Sequence, residues 1–158
     1  MGKSLELKIP PPVVALLVGV AMWGIARLEV DLRPALDLPR LTRAALAAPF
    51  VVAGVVIAAM GVATFRRART TINPMKPDAA TSLVTGGIYR FTRNPMYLGL
   101  TLALDGWAVF LFSPWTLLGP VAFVLYITRF QIAPEERALR DRFGESFTAY
   151  AAKVRRWV

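Results

Sequence analysis

The sequence has no cysteine and no histidine, and only 18% of its 158 residues are charged. Without cysteine there is no disulfide and no thiolate nucleophile; without histidine there is no imidazole base, and nearly every zinc-site pattern is gone. Acidic groups are also scarce, with 10 Asp and Glu against 19 Lys and Arg, giving a formal net charge of +9. The chemistry left to the chain is that of carboxylates, tyrosine, arginine, asparagine and backbone groups. Such a set suits transfer of an already activated group by a cofactor, where the protein mainly positions and shields.

Hydrophobic residues make up 56% of the chain and mean hydropathy is +0.50, above the ~45–50% apolar content of ordinary soluble domains. The length fits one domain, residues 1–158. The charges collect between four apolar runs, Ile9–Leu28, Ala44–Thr64, Pro95–Phe112 and Trp115–Phe130. At ~1.5 Å per residue, twenty residues reach ~30 Å, a bilayer's hydrocarbon thickness. The pattern predicts an all-α integral membrane protein with four transmembrane helices. Its basic residues then serve anionic head groups and topology, with no nucleic acid partner. Ile9–Leu28 reads as a span, because it is long for a signal-peptide core and is followed by Arg27-Leu28-Glu29-Val30 with no A-x-A-like site.

The short Ser113-Pro114-Trp115 link predicts that runs three and four form an antiparallel hairpin. Gln131–Arg137 reads as a new helix start, with Pro134 at its first position and Glu135-Glu136 at the positive end of its dipole. Beyond it Leu139, Phe143, Phe147, Tyr150, Val154 and Trp157 recur at steps of three or four between basic residues. That spacing predicts amphipathic helices on the membrane surface, broken at Gly144. Arg66, Arg67, Arg69, Lys76, Arg90 and Arg93 follow the second run, and the tail is basic too, which puts both segments and the N-terminus in the cytoplasm. The first loop, with Arg27, Arg33, Arg40 and Arg43, runs against that bias. Between the second and third runs, Asn73-Pro74, Lys76-Pro77 and Gly86-Gly87 rule out one continuous helix.

The densest stretch is Val84–Gly99, where two glycines, two tyrosines, two arginines and an Asn-Pro step meet the start of the third run. The hairpin returns the chain to the same membrane face, so Asn94–Gly99 and Gln131–Glu136 are expected side by side. Taken singly, these pieces have plainer readings. Gly86-Gly87 makes a turn, Arg90 and Arg93 face lipid head groups, Trp115 joins an interfacial belt, and Glu135-Glu136 cap a helix. Asp105 falls mid-span, where a carboxylate signals either function or a packed polar contact.

Together, Gly87-Ile-Tyr89, Arg93-Asn-Pro-Met-Tyr-Leu-Gly99, Glu135-Glu136, Phe143-Gly-Glu145, Tyr150 and Val154-Arg155 resemble the isoprenylcysteine carboxyl methyltransferase family and, more distantly, the phospholipid N-methyltransferases. The resemblance covers roughly Thr70–Val158. It implies a methyltransferase core over 70–158, an N-terminal helical pair over 1–69, and S-adenosylmethionine as cofactor at the cytoplasmic face. The implied cofactor residues are the strip Thr81, Ser82, Leu83 and Val84, then Tyr89, then Asn94, Pro95, Met96 and Tyr97, and finally Glu135 and Glu136. The implied acceptor is a lipophilic or lipid-modified molecule. Two positions depart from the family pattern: Asn94 stands where histidine is usual, and Gln131 stands where an arginine holds the substrate carboxylate. Asparagine cannot titrate. Arg129, two residues from Gln131, is the candidate replacement, so the implied catalytic set is Arg129, Glu135 and Asn94. The alternative is a non-enzymatic four-helix protein, a transporter subunit or a lipid-binding scaffold.

Overall fold

The computed structural model describes residues 5–28, 38–68 and 81–158, and among these it is helical without a strand. The expected breakers Asn73-Pro74 and Lys76-Pro77, and the basic residues Arg33, Arg69 and Lys76, lie outside the described residues. Helix α1 spans Pro11–Leu28 and α2 spans Arg40–Arg67. A 3₁₀ turn at Gly87–Arg90 leads to α3, Pro95–Leu111. A second 3₁₀ turn, Pro114–Leu117, opens α4, Leu118–Ile127, which passes through a π turn at Thr128–Ile132 into α5, Ala133–Lys153. The stretches Pro11–Leu28, Arg40–Arg67 and Pro114–Lys153 are each long and apolar enough to cross a bilayer, while α3 is apolar but shorter, at 17 residues.

The expected helix start at Gln131–Arg137 is overturned. Helix continues from Pro114 through the π turn and past Pro134 as far as Phe143, and Ile132 and Ala133 both have helical backbone angles. Proline in a helix lacks an N–H and crowds the carbonyl four residues back. The π turn just before Pro134 widens the helix at that point, a common local accommodation. The Phe130 carbonyl, which Pro134 cannot serve, accepts a hydrogen bond from the Leu7 N–H at 3.1 Å. The N-terminal segment is thereby fastened to the α4–α5 junction. The expected break at Gly144 coincides with a non-helical residue, φ 53° and ψ −123°.

Helices α2 and α3 pack backbone to backbone. A Cβ on Gly54 would stand 2.6 Å from the Gly99 carbonyl oxygen, and one on Gly106 would stand 3.1 Å from that of Ala47. Small residues permit such approach where lipid gives no hydrophobic drive between helices. On its other side α3 joins α1 and α4 through Val14, Met22, Tyr97, Leu104, Phe123 and Ile127. The opposite face of α2, with Val51, Val52, Val55, Val56 and Met60, is exposed, as expected for a lipid-facing surface. This packing brings the start of α3, the end of α2 and the start of α5 to one end of the molecule.

Candidate cofactor and active site

At that end Gly87 turns the chain with φ +58°, and a side chain there would press on the Thr64 hydroxyl at 2.9 Å. The turn carries Tyr89 into the interior, with its ring edge-on to Phe65 at 5.3 Å. Tyr150 of α5 donates to the Tyr89 carbonyl at 2.7 Å, holding the turn from the other side. Asn94 then stands at the N-terminal boundary of α3 without a side-chain capping bond, and Pro95 fills the first turn, where a missing N–H costs nothing. Tyr97 thus lies inside the bundle facing α5.

The two adjacent glutamates have opposite surroundings. Glu135 accepts on Oε1 from the Tyr97 hydroxyl at 2.5 Å and from Gln131 Nε2 at 2.8 Å, both neutral donors. No cation pairs with it among the described residues. Glu136 sits between two guanidiniums, with Arg93 Nη2 at 2.6 Å and Arg156 Nη2 at 2.7 Å. These charge-assisted bonds hold the Arg156 guanidinium above its usual range.

The chain's last residues close this arrangement. Val154 leaves the helix with extended backbone, φ −121° and ψ 131°, and the tail runs back across the Arg93-Asn94 step. Arg93 donates from its backbone to the Arg155 carbonyl at 3.0 Å, and from Nη1 to the Ala151 and Val154 carbonyls at 2.8 and 2.6 Å. Asn94 Nδ2 and Thr92 Oγ1 donate to the Arg156 carbonyl at 2.9 and 3.2 Å. Asn94 therefore pins the tail to the start of α3.

These elements enclose a cavity of about 110 Å³. Of the residues expected from sequence, Ser82, Leu83, Val84, Tyr89, Asn94, Met96, Tyr97, Glu135 and Glu136 line it. Thr81 stands outside it and is exposed, and Pro95 is buried beneath it, near Gly61. Arg129 is not part of it: its side chain is largely exposed and pairs with Glu6 at 3.2 Å. Six residues along a helix amount to ~600° of rotation, so positions 129 and 135 fall on different faces. Phe65, Arg93, Leu139, Phe147 and Tyr150 complete the lining. The amphipathic spacing of Leu139, Phe147 and Tyr150 was a usable signal. Nothing in the sequence pointed to Phe65 or to the Glu136–Arg156 pair.

Two buried hydroxyls in the wall, Ser82 Oγ and Tyr89 Oη, have no hydrogen-bond partner among the described residues. Orphaned polar atoms are rare in folded interiors and call for an explanation. Burial, reinforced by Tyr150 and Glu135, pushes the Tyr89 phenol far above its ordinary range, so it stays protonated and can donate. Two free hydroxyls, an unpaired carboxylate and several aromatic rings fit a polar cation that carries a flat ring and hydroxyl groups. The volume is below the ~300–1,000 Å³ usual for such ligands; the described residues enclose part of the space one would need.

Residues 42–146 match the family described as phospholipid methyltransferase. The chain belongs to that family. It is 36% identical over 107 residues to a rice protein (Oryza sativa subsp. indica) named probable protein-S-isoprenylcysteine O-methyltransferase, covering 66% of this chain and 54% of the relative. It is 28% identical over 107 residues to protein-S-isoprenylcysteine O-methyltransferase B of Arabidopsis thaliana, covering 66% and 53%. The chain thus spans about half the length of these plant relatives. An uncharacterized protein of Haemophilus influenzae is 44% identical over 63 residues, which is 40% of this chain and 100% of that protein. No solved structure matches. The family match takes in most of the cavity wall, from Phe65 to the Glu135-Glu136 pair. The tail that closes the cavity lies beyond it.

Proposed function

We propose that the cavity binds S-adenosylmethionine and that the protein transfers a methyl group to a lipophilic acceptor held in the membrane. Glu135 carries this reading: a carboxylate in the cavity wall, oriented by Tyr97 and Gln131 yet matched by no cation among the described residues. Desolvating a carboxylate without a counter-charge is costly, and a bound cation offsets the cost. S-adenosylmethionine is such a cation and supplies a methyl group already activated on positively charged sulfur. Glu135 would balance that charge, and the Tyr97 ring would add a cation–π contact. Ser82 Oγ and Tyr89 Oη would bind the ligand's polar groups. Leu83, Val84, Asn94, Pro95 and Met96 would form the wall behind them, and Glu136 would hold the Arg93–tail latch in place. In this reading Asn94 is a structural pin that moves no proton, and Arg129 has no part in the chemistry.

Membership of the family and the names of the plant relatives support methyl transfer. The charges around the cavity support a choice of acceptor class. Arg93 and Arg156, the guanidiniums nearest the cavity, are both committed to Glu136, and Gln131 is neutral. Among the described residues an isoprenylcysteine-like carboxylate would find no cation there that Glu136 does not already hold, which favours a lipophilic amine or thiol. We place the cavity at the cytoplasmic surface, where Arg66, Arg67, Arg90 and Arg93 lie. The test is transfer of labelled methyl from S-adenosylmethionine into a panel of lipid amines, hydrophobic thiols and prenyl-cysteine carboxylates. Product from an amine or thiol supports the reading in full. Product from the carboxylate alone refutes the acceptor class, and no product from any acceptor by folded protein counts against the activity.

A further inference from the structure

The arginines of the first loop have no role in methyl transfer. Those among the described residues lie at the end of the bundle away from the cofactor cavity, ~20 Å along α3 from Tyr97. There Arg27, Arg40 and Arg43 border a cavity of about 610 Å³ at the meeting of α1, α2 and α3. No Asp or Glu lines it among the described residues. Arg27 and Arg40 make no ion pair among those residues. The Arg27 guanidinium lies 5.1 Å from the Trp23 ring centre. Arg43 donates to the Leu38 carbonyl at 2.8 Å and lies 5.1 Å from the Phe112 ring centre. Arg27 and Arg40, two like charges on one cavity at a bilayer interface, repel unless an anion enters between them.

A second feature joins this cavity. An almost wholly apolar groove of about 480 Å³ runs down the α1–α3 seam past Leu16, Gly19, Val20, Ala103 and Leu104. Groove and cavity share Trp23 and Trp107. Trp107 is fixed there by donating its indole N–H to the Gly19 carbonyl at 3.0 Å. Residue 19 forms part of the groove floor, since a Cβ on it would meet Leu104 and Trp107 at 3.9 Å. A basic chamber that opens into an apolar channel has the shape and polarity of a phospholipid.

We infer that this seam binds an anionic phospholipid, its phosphate among Arg27, Arg40 and Arg43 and one acyl chain in the groove. Its head group lies at the end of the molecule opposite Glu135, so this lipid is not the methyl acceptor. Nothing in the inference depends on the methyl-transfer reading. The rival counter-charges are the chain's own Glu29, Asp31 and Asp37, which lie outside the described residues.

The full-length protein in neutral detergent micelles would be titrated with phosphatidylglycerol, phosphatidylcholine or glycerol phosphate. Retained lipid is counted by native mass spectrometry, and chain-brominated lipid reports contact by quenching tryptophan fluorescence. Phosphatidylglycerol is expected to bind at least tenfold more tightly than phosphatidylcholine. The double variant Arg27→Gln/Arg40→Gln should lose that preference, whereas Arg67→Gln, at the far end of α2, should keep it. Gly19→Leu should fill the groove and abolish quenching by the brominated chain. Equal binding of the two lipids would overturn the inference. So would an undiminished preference in the double variant, which would mean that the loop carboxylates already neutralise the arginines. Competition by glycerol phosphate as strong as that by the lipid would assign the cavity to a free phosphate instead. If the double variant does not fold, quenching of the wild-type protein by each lipid still decides the matter.

Discussion

Two adjacent carboxylates, one chemically open and one closed, define the site at the scale of single residues. Glu136 binds two guanidiniums and so joins α5, the Arg93 step and the tail. Replacing it by Gln leaves both cations without their partner. The expected loss is about 2 kcal/mol, less than for a fully buried pair because Arg156 is partly solvated; a drop in melting temperature would register it. Glu135 has no such structural partner, and Glu135→Gln should leave melting temperature almost unchanged. Tyr89→Phe removes a hydroxyl that no group among the described residues satisfies. Ligand-free stability should hold or rise slightly, while affinity for S-adenosylhomocysteine should fall ~5- to 10-fold, the value of about one hydrogen bond. Calorimetric titration beside a thermal melt separates the two effects, and a destabilised but normally binding Tyr89→Phe would assign the hydroxyl to the fold.

The elements hold that site through backbone contact more than through side-chain volume. Gly99, two residues after Tyr97 in α3, sits against Gly54 and Ala58 of α2. Gly99→Val should force α2 and α3 apart and lower both stability and cofactor affinity, whereas Ala at Gly24, which has open space around it, should be neutral. Paired thermal melts and ligand titrations of the two variants check this. The apolar runs were legible because a bilayer demands long uniform segments, and the observed helices α1 to α4 lie on them. The continuity of α4 with α5 was not. Pro134 carries the ordinary mark of a helix start, and only the π turn before it and the Leu7 N–H on the Phe130 carbonyl let the helix pass through. Arg129 was misplaced for a related reason: proximity in sequence to Gln131 says nothing about which face of a continuous helix a side chain occupies.

Across the whole molecule, the motif residues were legible because Asn94–Tyr97 and Glu135-Glu136 combine polar types at an apolar boundary. The closing role of the tail was not, since the bonds from Arg93 and Asn94 to the carbonyls of residues 151 to 156 depend on contacts about sixty positions apart. Deleting residues 154–158 should therefore free Asn94, take one guanidinium from Glu136 and two carbonyl acceptors from Arg93, and weaken ligand binding by tenfold or more. The absence of native cysteine also permits a clean topology test. Single cysteines at Ser146 and Leu38 should react with a membrane-impermeant maleimide from opposite sides, Ser146 only after the cytoplasmic face is opened. Labelling of both from one side would contradict the proposed orientation. The measurement that bears most directly on the central claim is calorimetric titration of S-adenosylhomocysteine and S-adenosylmethionine into wild-type protein and Glu135→Gln. Binding of both ligands by the wild type, with the sulfonium ligand weakened far more than the neutral one by the substitution, is the predicted result. No binding to folded wild type, or equal binding of S-adenosylmethionine by both proteins, would contradict it.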